Sequence, residues 1–499
     1  MGNDRLPRLL LAGTAGALAG LSLPPLGWPW LLWPCLAVLW AQTSGPPGWR
    51  AGWVWGTAAV LVSHRWLPAL HPLDWIGVPA PLSLPICLVL WGFCASLGGL
   101  LVGAWMALAR RLDPARASSA LLGAGLWGLA EVGLAKGPLF WIGLGASPLP
   151  GDPWLAGLAA VVGAGGIAAL QMLLGWGLWR WARALARRWS GERPLVGLTS
   201  GAWGVLLTMG LVVAHGVGAA ALVPRAEAEP AVGAASPAET VLVVQPAIPT
   251  RQKFLPAQQK RLVGLLAAAL REAQPSGATV VLPEGALLEG QPLPERVSVE
   301  VLSGGFRRDD VSLRSALLRF APHSTTAGGW VDKHRVVPLG EWVPLAPLLR
   351  WSGLSAVGGV EPGDASRLLW RPSGPIGVAI CYEIADGRAL ARASREGARW
   401  LLASANLDPY PLSLQSQFEA LARLRAMESG RWLVSAANTG PSVLVNPSGQ
   451  VEASLPSGRT TSGWFRVPAS FGFTPYLRGG ERPLLGMVAA GLALRAARR

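Results

Sequence analysis

A multi-pass α-helical membrane bundle joined to an α/β domain is the fold class the sequence predicts, and three observations predict it. The chain of 499 residues is 51% hydrophobic and only 14% charged, with a mean hydropathy of +0.38. Residues 1–222 are apolar runs punctuated by Gly, Pro and Arg, and one more such run stands near the C-terminus. Between them, from residue 240 onward, short buried-strand patterns alternate with helical periodicity. The first two observations exclude an ordinary soluble globular protein. The third adds a layered polar domain.

The spans come first. Apolar runs lie near 8–24, 27–42, 51–64, 82–109, 118–135, 154–178 and 195–222, with an eighth near 482–495. The second and third are short for a hydrocarbon core of about 30 Å, which asks for about 20 apolar residues. The first run follows Arg5 and Arg8 and could be a signal peptide. Further runs follow it at once, so it reads as an uncleaved span. The 26 tryptophans suit the membrane interface, where an amphipathic ring meets lipid and water.

Charge orients the spans. Arg5 and Arg8 precede span one, and Arg50 lies between spans two and three. Arg110, Arg111 and Arg116 fall between four and five, and Arg180, Arg183, Arg187, Arg188 and Arg193 between six and seven. Arg495, Arg498 and Arg499 end the chain, while the alternate short loops hold only Arg65 and Lys136. With seven spans plus one, this parity predicts cytoplasmic termini and places 223–481 on the far side, the periplasm of a Gram-negative cell. The predicted organisation is a bundle over 1–222, a linker rich in Ala, Glu and Pro over 223–239, a catalytic domain over 240–481, and a final helix and tail over 482–499. The formal net charge of +15 raises nucleic acid as a partner. No basic stripe with interleaved aromatics supports it, and positive loops beside a lipid bilayer account for the charge.

In the polar half, Thr240–Gln245 reads as a buried strand and Pro256–Glu272 as a helix. Thr279–Leu282 is a strand running into Pro283 and Glu284, and Pro375–Ile380 a strand running into Cys381. Asp386–Gly397 and Leu414–Ser429 read as helices, Trp400–Ser404 and Trp432–Ala436 as strands, and 287–330 is ambiguous.

Three polar residues at or beyond these strands carry chemistry. A free Cys has little thiolate at neutral pH, since its pKa is about 8.5. A carboxylate can take its proton as general base, and an ammonium can hold the oxyanion of a tetrahedral intermediate. Glu284, Lys333 and Cys381 supply those three roles for acyl transfer. Taken singly, each has a plain alternative: a strand-end carboxylate in water, a solvated loop charge, a buried filler. Cys35, Cys87 and Cys94 lie in apolar runs and read as small hydrophobes. No spacing suggests zinc or a disulfide framework, and nothing suggests a metal or organic cofactor.

The strings VVLPEGAL, DKHRVVPLGEWVP and GVAICYEI resemble the signatures of the nitrilase superfamily, and in particular those of apolipoprotein N-acyltransferases. VVQPAIP, LARLRAMES, SAANTGPSVLVNPSG and GFTPYLRGGERP are similar to other segments of that family, as are LSLPPLGWPWL, HRW, LWGLAE and PLFWIGLG in the membrane half. The resemblance implies an αββα nitrilase-like sandwich. It also implies a ping-pong reaction. Cys381 would take an acyl chain from the sn-1 position of a phospholipid as a thioester and pass it to the α-amine of diacylglyceryl-cysteine on an apolipoprotein, with Glu284 as base and Lys333 on the oxyanion. It implies supporting roles for Glu341, Tyr382 and Glu383, a substrate-cleft position for Phe254, and a bacterial inner-membrane location. Glu131, a carboxylate within a span, reads either as a group near the lipid pocket or as a structural hydrogen bond.

The chain departs from the family where Phe254 stands for a common Trp, Arg314-Ser315 for a Tyr-Asn pair, and Leu407-Asp408-Pro409-Tyr410 for an aromatic-Gly stretch. Two rivals remain at this level. A membrane-anchored amidase or nitrile hydrolase would resolve the acyl-enzyme with water, and a degenerate scaffold would keep the fold without turnover. The seven spans count against the first and the intact Glu/Lys/Cys set against the second. A transporter is suggested only by the span count.

Overall fold

The computed structural model describes residues 5–46, 48–73, 78–190, 198–223, 238–253, 255–310, 312–337, 341, 359–408 and 410–497. Among the described residues, seven helices of thirteen residues or more build the N-terminal half: α1 (Arg5–Leu21), α2 (Pro29–Ala41), α3 (Trp49–Ser63), α4 (Ala80–Arg111), α5 (Ala117–Leu134), α6 (Ala159–Trp189) and α7 (Ser200–Leu222). Four of these, α4 to α7, are long and apolar enough to cross a membrane. The outer faces of α4 and α7 stay apolar in the open, with Val89, Phe93, Leu100, Met209 and Val212 exposed. Such faces suit lipid, because a water-soluble helix would bury its apolar stripe.

Several boundaries differ from the sequence expectation. Arg5 and Arg8 sit inside α1, and Arg50 sits in the first turn of α3. Helix α6 runs on to Trp189, so Arg180, Arg183, Arg187 and Arg188 lie on its last turns instead of in a loop. Straight-chain Arg and Ala continue a helix readily, and nothing in that stretch breaks it. Within α6, Gly163 leaves helical geometry at φ +69°, and Tyr476 packs where a Cβ would stand. The tryptophans divide: Trp28, Trp30, Trp154 and Trp189 are exposed. Trp40, Trp55, Trp105 and Trp127 instead form a chain of edge-to-face contacts within the bundle. Three of their ring N–H groups find partners there, Trp40 donating to the Met172 carbonyl at 3.0 Å, Trp105 to that of Gly123 at 3.0 Å and Trp127 to Glu131 Oε1 at 2.9 Å, while that of Trp55 has none among the described residues.

The polar half holds two six-stranded sheets. The first has the order β12-β1-β2-β3-β4-β5 and the second β11-β10-β9-β8-β7-β6. These strands are β1 (Glu239–Gln245), β2 (Thr279–Leu282), β3 (Val301–Asp309), β4 (Ser312–Phe320), β5 (Gly329–Asp332), β6 (Leu368–Leu369), β7 (Ile376–Ile380), β8 (Leu401–Ala405), β9 (Leu433–Ala437), β10 (Val443–Val445), β11 (Val451–Ser454) and β12 (Thr461–Val467). Strands β1, β2 and β3 are mutually parallel, as are β7, β8 and β9. Parallel strands are covered on both faces, which is why they read as unbroken apolar runs. Alternation still sorts their side chains. Val241 and Val243 of β1 face the second sheet, whereas Leu242 and Val244 pack on helix α8 (Pro256–Ala273) through Leu262, Leu266 and Leu270. Helices α9 (Gly387–Arg395) and α10 (Leu412–Ser429) cover the second sheet. The result is an αββα sandwich, and helix α11 (Arg482–Ala496) leads away from it to pack against α5.

The ambiguous stretch 287–330 contains the β3–β4 hairpin, paired over nine residues from Val301↔Phe320 to Asp309↔Ser312. Bundle and sandwich share one apolar core in which Leu23, Trp66, Phe140 and Leu155 join Tyr382, Phe418 and Leu421. Polar contacts reinforce the junction. Arg335 donates to the carbonyls of Ala135, at 2.6 Å, and Gly137. Gln417 donates to that of Ser63 at 2.9 Å.

Candidate active site

The ends of three strands converge. The chain leaves β2 at Leu282 and presents Glu284 two residues later. It leaves β5 at Asp332, directly before Lys333, and β7 at Ile380, directly before Cys381. The first two strands belong to one sheet and the third to the other, so the site lies where the sheets meet.

Lys333 is the centre of the charge arrangement. Its side chain is 1% exposed, and Nζ donates to Glu284 Oε1 at 2.8 Å and to Glu341 Oε1 at 2.7 Å. Burial opposes its charge, but the two carboxylates outweigh burial and hold its pKa well above the usual lysine range. Burial likewise raises Glu341, with Lys333 pulling the other way. Glu341 is fixed further by accepting from the Val337 N–H at 2.9 Å. Glu284 is fixed by accepting from the Asn406 N–H at 3.0 Å.

Cys381 is buried and adopts φ +53°, a left-handed conformation that costs a residue with a Cβ roughly 1–2 kcal/mol. Its thiol lies within reach of the Glu284 carboxylate, as a hydrogen-bond partner and through its charge. Burial pushes the thiol pKa well up, the Glu284 charge adds to that, and Lys333 opposes it. At rest Cys381 is therefore a neutral thiol with a carboxylate beside it. Attack by such a thiol would need deprotonation to accompany it.

Glu383 ties the two loops together. Fully buried, it accepts at Oε2 from the Ile380 N–H at 2.9 Å, directly before the nucleophile. At Oε1 it accepts from the N–H groups of His334 and Arg335 at 2.7 and 3.2 Å, directly after the lysine. The Arg367 guanidinium neutralises it with contacts of 2.9 Å to both oxygens. Tyr382 points elsewhere: its hydroxyl meets that of Tyr410 at 3.1 Å, and its ring packs with Phe140 and Phe418 at the bundle junction. Phe254, expected at the substrate cleft, lies outside the described residues.

In the membrane half a cavity of about 130 Å³ opens between α1, α3, α4 and α5, lined by Leu23, Val60, Trp55, Leu101, Trp127 and Trp141. Glu131 lines it too, but its carboxylate is engaged by Trp127 Nε1 and the Leu144 N–H, both at 2.9 Å. The structural hydrogen bond and the position beside an apolar pocket thus coincide.

Comparison with known proteins bears on the whole chain. Residues 15–177 match the family described as apolipoprotein N-acyltransferase N-terminal domain, and residues 357–462 match carbon-nitrogen hydrolase. An apolipoprotein N-acyltransferase of Prochlorococcus marinus (strain MIT 9313) is 46% identical over 98% of this chain and 96% of its own length. The chain belongs to the apolipoprotein N-acyltransferase family. Its relative in Parasynechococcus marenigrum (strain WH8102) is 46% identical over 91% of this chain and 93% of its own length. Among solved structures, the nitrilase-superfamily member Nit3 of Saccharomyces cerevisiae is 16% identical, with a TM-score of 0.37 over 46% of this chain and 90% of its own. The resemblance read from short strings is therefore a full-length relationship to the N-acyltransferase family.

Sequence reasoning missed some residues of this apolipoprotein N-acyltransferase-family site. Arg367 carries no motif, and only its ion pair with Glu383 marks it. Asn406, which supplies an N–H to Glu284, lies outside every matched string. Lys253 lies between the VVQPAIP string and Phe254, in no matched string. Its side chain ends against Gly285, where a Cβ would stand 2.3 Å from Nζ. A charged residue inside a signal-bearing loop gives no sequence cue that it will fold back onto a site.

Proposed function

We propose that the protein moves an acyl chain from the sn-1 position of a phospholipid to the α-amine of S-diacylglyceryl-cysteine at the N-terminus of apolipoproteins, with Cys381 as the covalent carrier. The observation that carries this reading is the Glu284 carboxylate, held by Lys333 on one side and within reach of the Cys381 thiol on the other, at the junction with an apolar bundle.

In the first half-reaction the Cys381 thiol attacks the ester carbonyl as Glu284 takes its proton. The oxyanion develops beside Lys333, whose charge is secured by two carboxylates and needs no rearrangement. Collapse expels the lysophospholipid alkoxide, which recovers the proton from Glu284, and leaves a thioester. In the second half-reaction the acceptor amine attacks that thioester, and Cys381 departs as the thiol. Glu341 keeps Lys333 in place, Glu383 sets the nucleophile loop against the lysine loop, and Tyr382 anchors the turn to the bundle aromatics. The cavity lined by Trp55, Leu101 and Trp127 suits an aliphatic chain. Phe254 stays a candidate for the substrate cleft. We assign the protein to the bacterial inner membrane, with the sandwich periplasmic and both termini cytoplasmic, on the charge parity of its loops.

A phospholipid labelled in its sn-1 chain tests the reading. Labelled acyl group should attach to the purified protein and be released by neutral hydroxylamine, as a thioester is. Cys381→Ser and Cys381→Ala should show no hydroxylamine-labile label. Labile label retained in either variant would remove Cys381 from the reaction.

A further inference from the structure

The second half-reaction carries one more proton than the first. The acceptor arrives with an α-amino group whose ordinary pKa is about 7.7–8.0, so near neutral pH it is largely an ammonium. Making the amide consumes R–NH₃⁺ and the thioester and yields amide, thiol and one free proton. Glu284 can hold the proton that travels from the attacking nitrogen to the departing sulfur. It cannot hold a second. Lys333 is no alternative, because it is locked as a cation between Glu284 and Glu341.

Lys253 stands against Gly285, the residue directly after Glu284. It ends a short helical turn, Thr250–Gln252, that is pinned to the loop after β8: the Thr250 N–H donates to Asp408 Oδ2 at 2.6 Å, and Asn406 Nδ2 donates to Thr250 Oγ1 at 2.9 Å. The Lys253 carbonyl accepts from Gln259 Nε2 at 2.6 Å, which fixes its backbone from α8 as well. Its amine reaches the backbone directly after Glu284, and Gly285 leaves the space open: its φ is +62°, and an added Cβ would collide with Nζ at 2.3 Å. Among the described residues no acceptor takes a hydrogen bond from Nζ, and the side chain is only partly buried. The charged groups facing it are Glu284 and Asp408, and burial outweighs both, lowering its pKa to about 8. That is the range of the acceptor amine itself, where proton exchange is nearly thermoneutral.

We propose that Lys253 is the proton acceptor for the incoming ammonium in the second half-reaction. Neutral Lys253 takes one proton from R–NH₃⁺ and becomes an ammonium. The freed lone pair forms the C–N bond, the C–S bond breaks with its electron pair going to Sγ, and the second nitrogen proton passes through Glu284 to the thiolate. Lys253 then returns its proton to solvent. The first half-reaction, in which thiol and alkoxide exchange one proton through Glu284, does not involve it.

The inference rests on the thioester reading, and separate measurement of the two half-reactions tells their failures apart. Full-length protein is loaded from sn-1-labelled phospholipid and then chased with a synthetic lipopeptide bearing a free S-diacylglyceryl-cysteine amine. In Lys253→Met and Lys253→Gln, thioester formation should stay within about threefold of the unsubstituted protein. Transfer at pH 7 should fall about 10- to 100-fold, a typical size for loss of a proton acceptor. The deficit should shrink to about threefold or less at pH 9.5, where the acceptor is already a free amine. Lys253→Arg keeps the charge but cannot accept a proton, so it should be as slow as Lys253→Met at pH 7. Normal transfer in Lys253→Met, rescue by Lys253→Arg, a deficit independent of pH, or loss of thioester formation in all three variants would each overturn the role. Absence of thioester in the unsubstituted protein would instead strike the reading on which it rests.

Discussion

At the scale of single residues, the site separates groups that react from groups that hold. Glu383 belongs to the second kind, since its oxygens are filled by three backbone N–H groups and by Arg367. Removing one partner of so buried a pair leaves the other charge unpaired, at a cost of about 3–5 kcal/mol. Glu383→Gln should therefore lower the melting temperature in detergent and slow thioester formation. Arg367→Met combined with Glu383→Gln should restore much of the stability, because no buried charge remains alone. It should not restore the rate, because the link between Ile380 and the loop at His334 is still weakened. A double-mutant cycle in melting temperature and thioester rate reads both quantities. Parallel recovery of rate and stability would reduce Glu383 to a purely structural residue. The glutamate was visible in the sequence because it follows the nucleophile motif. Its partner was not, because Arg367 comes from a segment with no pattern and meets Glu383 only through the pairing of β7 with the short strand β6 (Leu368–Leu369).

At the scale of elements, β3 explains both a gap in the sequence reading and a feature of the site. A buried strand is recognised by its apolar side chains, but β3 reads Val-Leu-Ser-Gly-Gly at its buried end. The glycines are there for a tertiary reason: a Cβ on Gly304 would lie 2.4 Å from the Cα of Glu284. The strand gives up side chains so that the backbone carrying Glu284 can run against it. Gly304→Ala must push Glu284 away from Lys333 and Cys381. It should cost at least about tenfold in thioester formation, as small misplacements of reacting groups do. Gly329→Ala in β5 is the matched control, since its nearest contact is an ordinary 3.8 Å and it should leave the rate unchanged. Equal rates for the two variants would show that β3 does not set the position of Glu284. By contrast β1, β2, β7, β8 and β9 were legible to within a residue or two, since strands covered on both faces leave unbroken runs of Val, Leu, Ile and Ala. Helix α6 was misjudged in the opposite direction. Its arginines look like a loop when read as charge and like a helix when read as propensity.

At the scale of the molecule, the two ends of the bundle are chemically distinct. At one end the basic residues draw loops and helix ends together. Arg8 donates to the Pro46 carbonyl at 2.8 Å and Arg110 to that of Gly45. Arg180 donates to Ala115 at 2.6 Å, and Arg495 to Leu112 at 3.0 Å. At the other end, Pro72, Ala135 and Ser63 receive Arg251, Arg335 and Gln417 from the sandwich. The arginine-rich end is thus opposite the sandwich, and the positive-inside tendency makes that asymmetry the basis of the proposed orientation. An exposed position on each side tests it. With partly exposed Cys94 replaced by alanine, Lys260→Cys on the outer helix of the sandwich should react with a membrane-impermeant maleimide in intact spheroplasts. Ser190→Cys, at the end of α6, should react only after the membrane is permeabilised. The reverse pattern would turn the protein over and place the thiol on the cytoplasmic side. Labelling of both from outside would mean that α6 does not deliver its arginine-rich end across the membrane. The orientation matters to the proposed chemistry because, on that reading, the ammonium acceptor, its lipid donor and the proton released in the second half-reaction would all enter or leave on the face that carries Cys381.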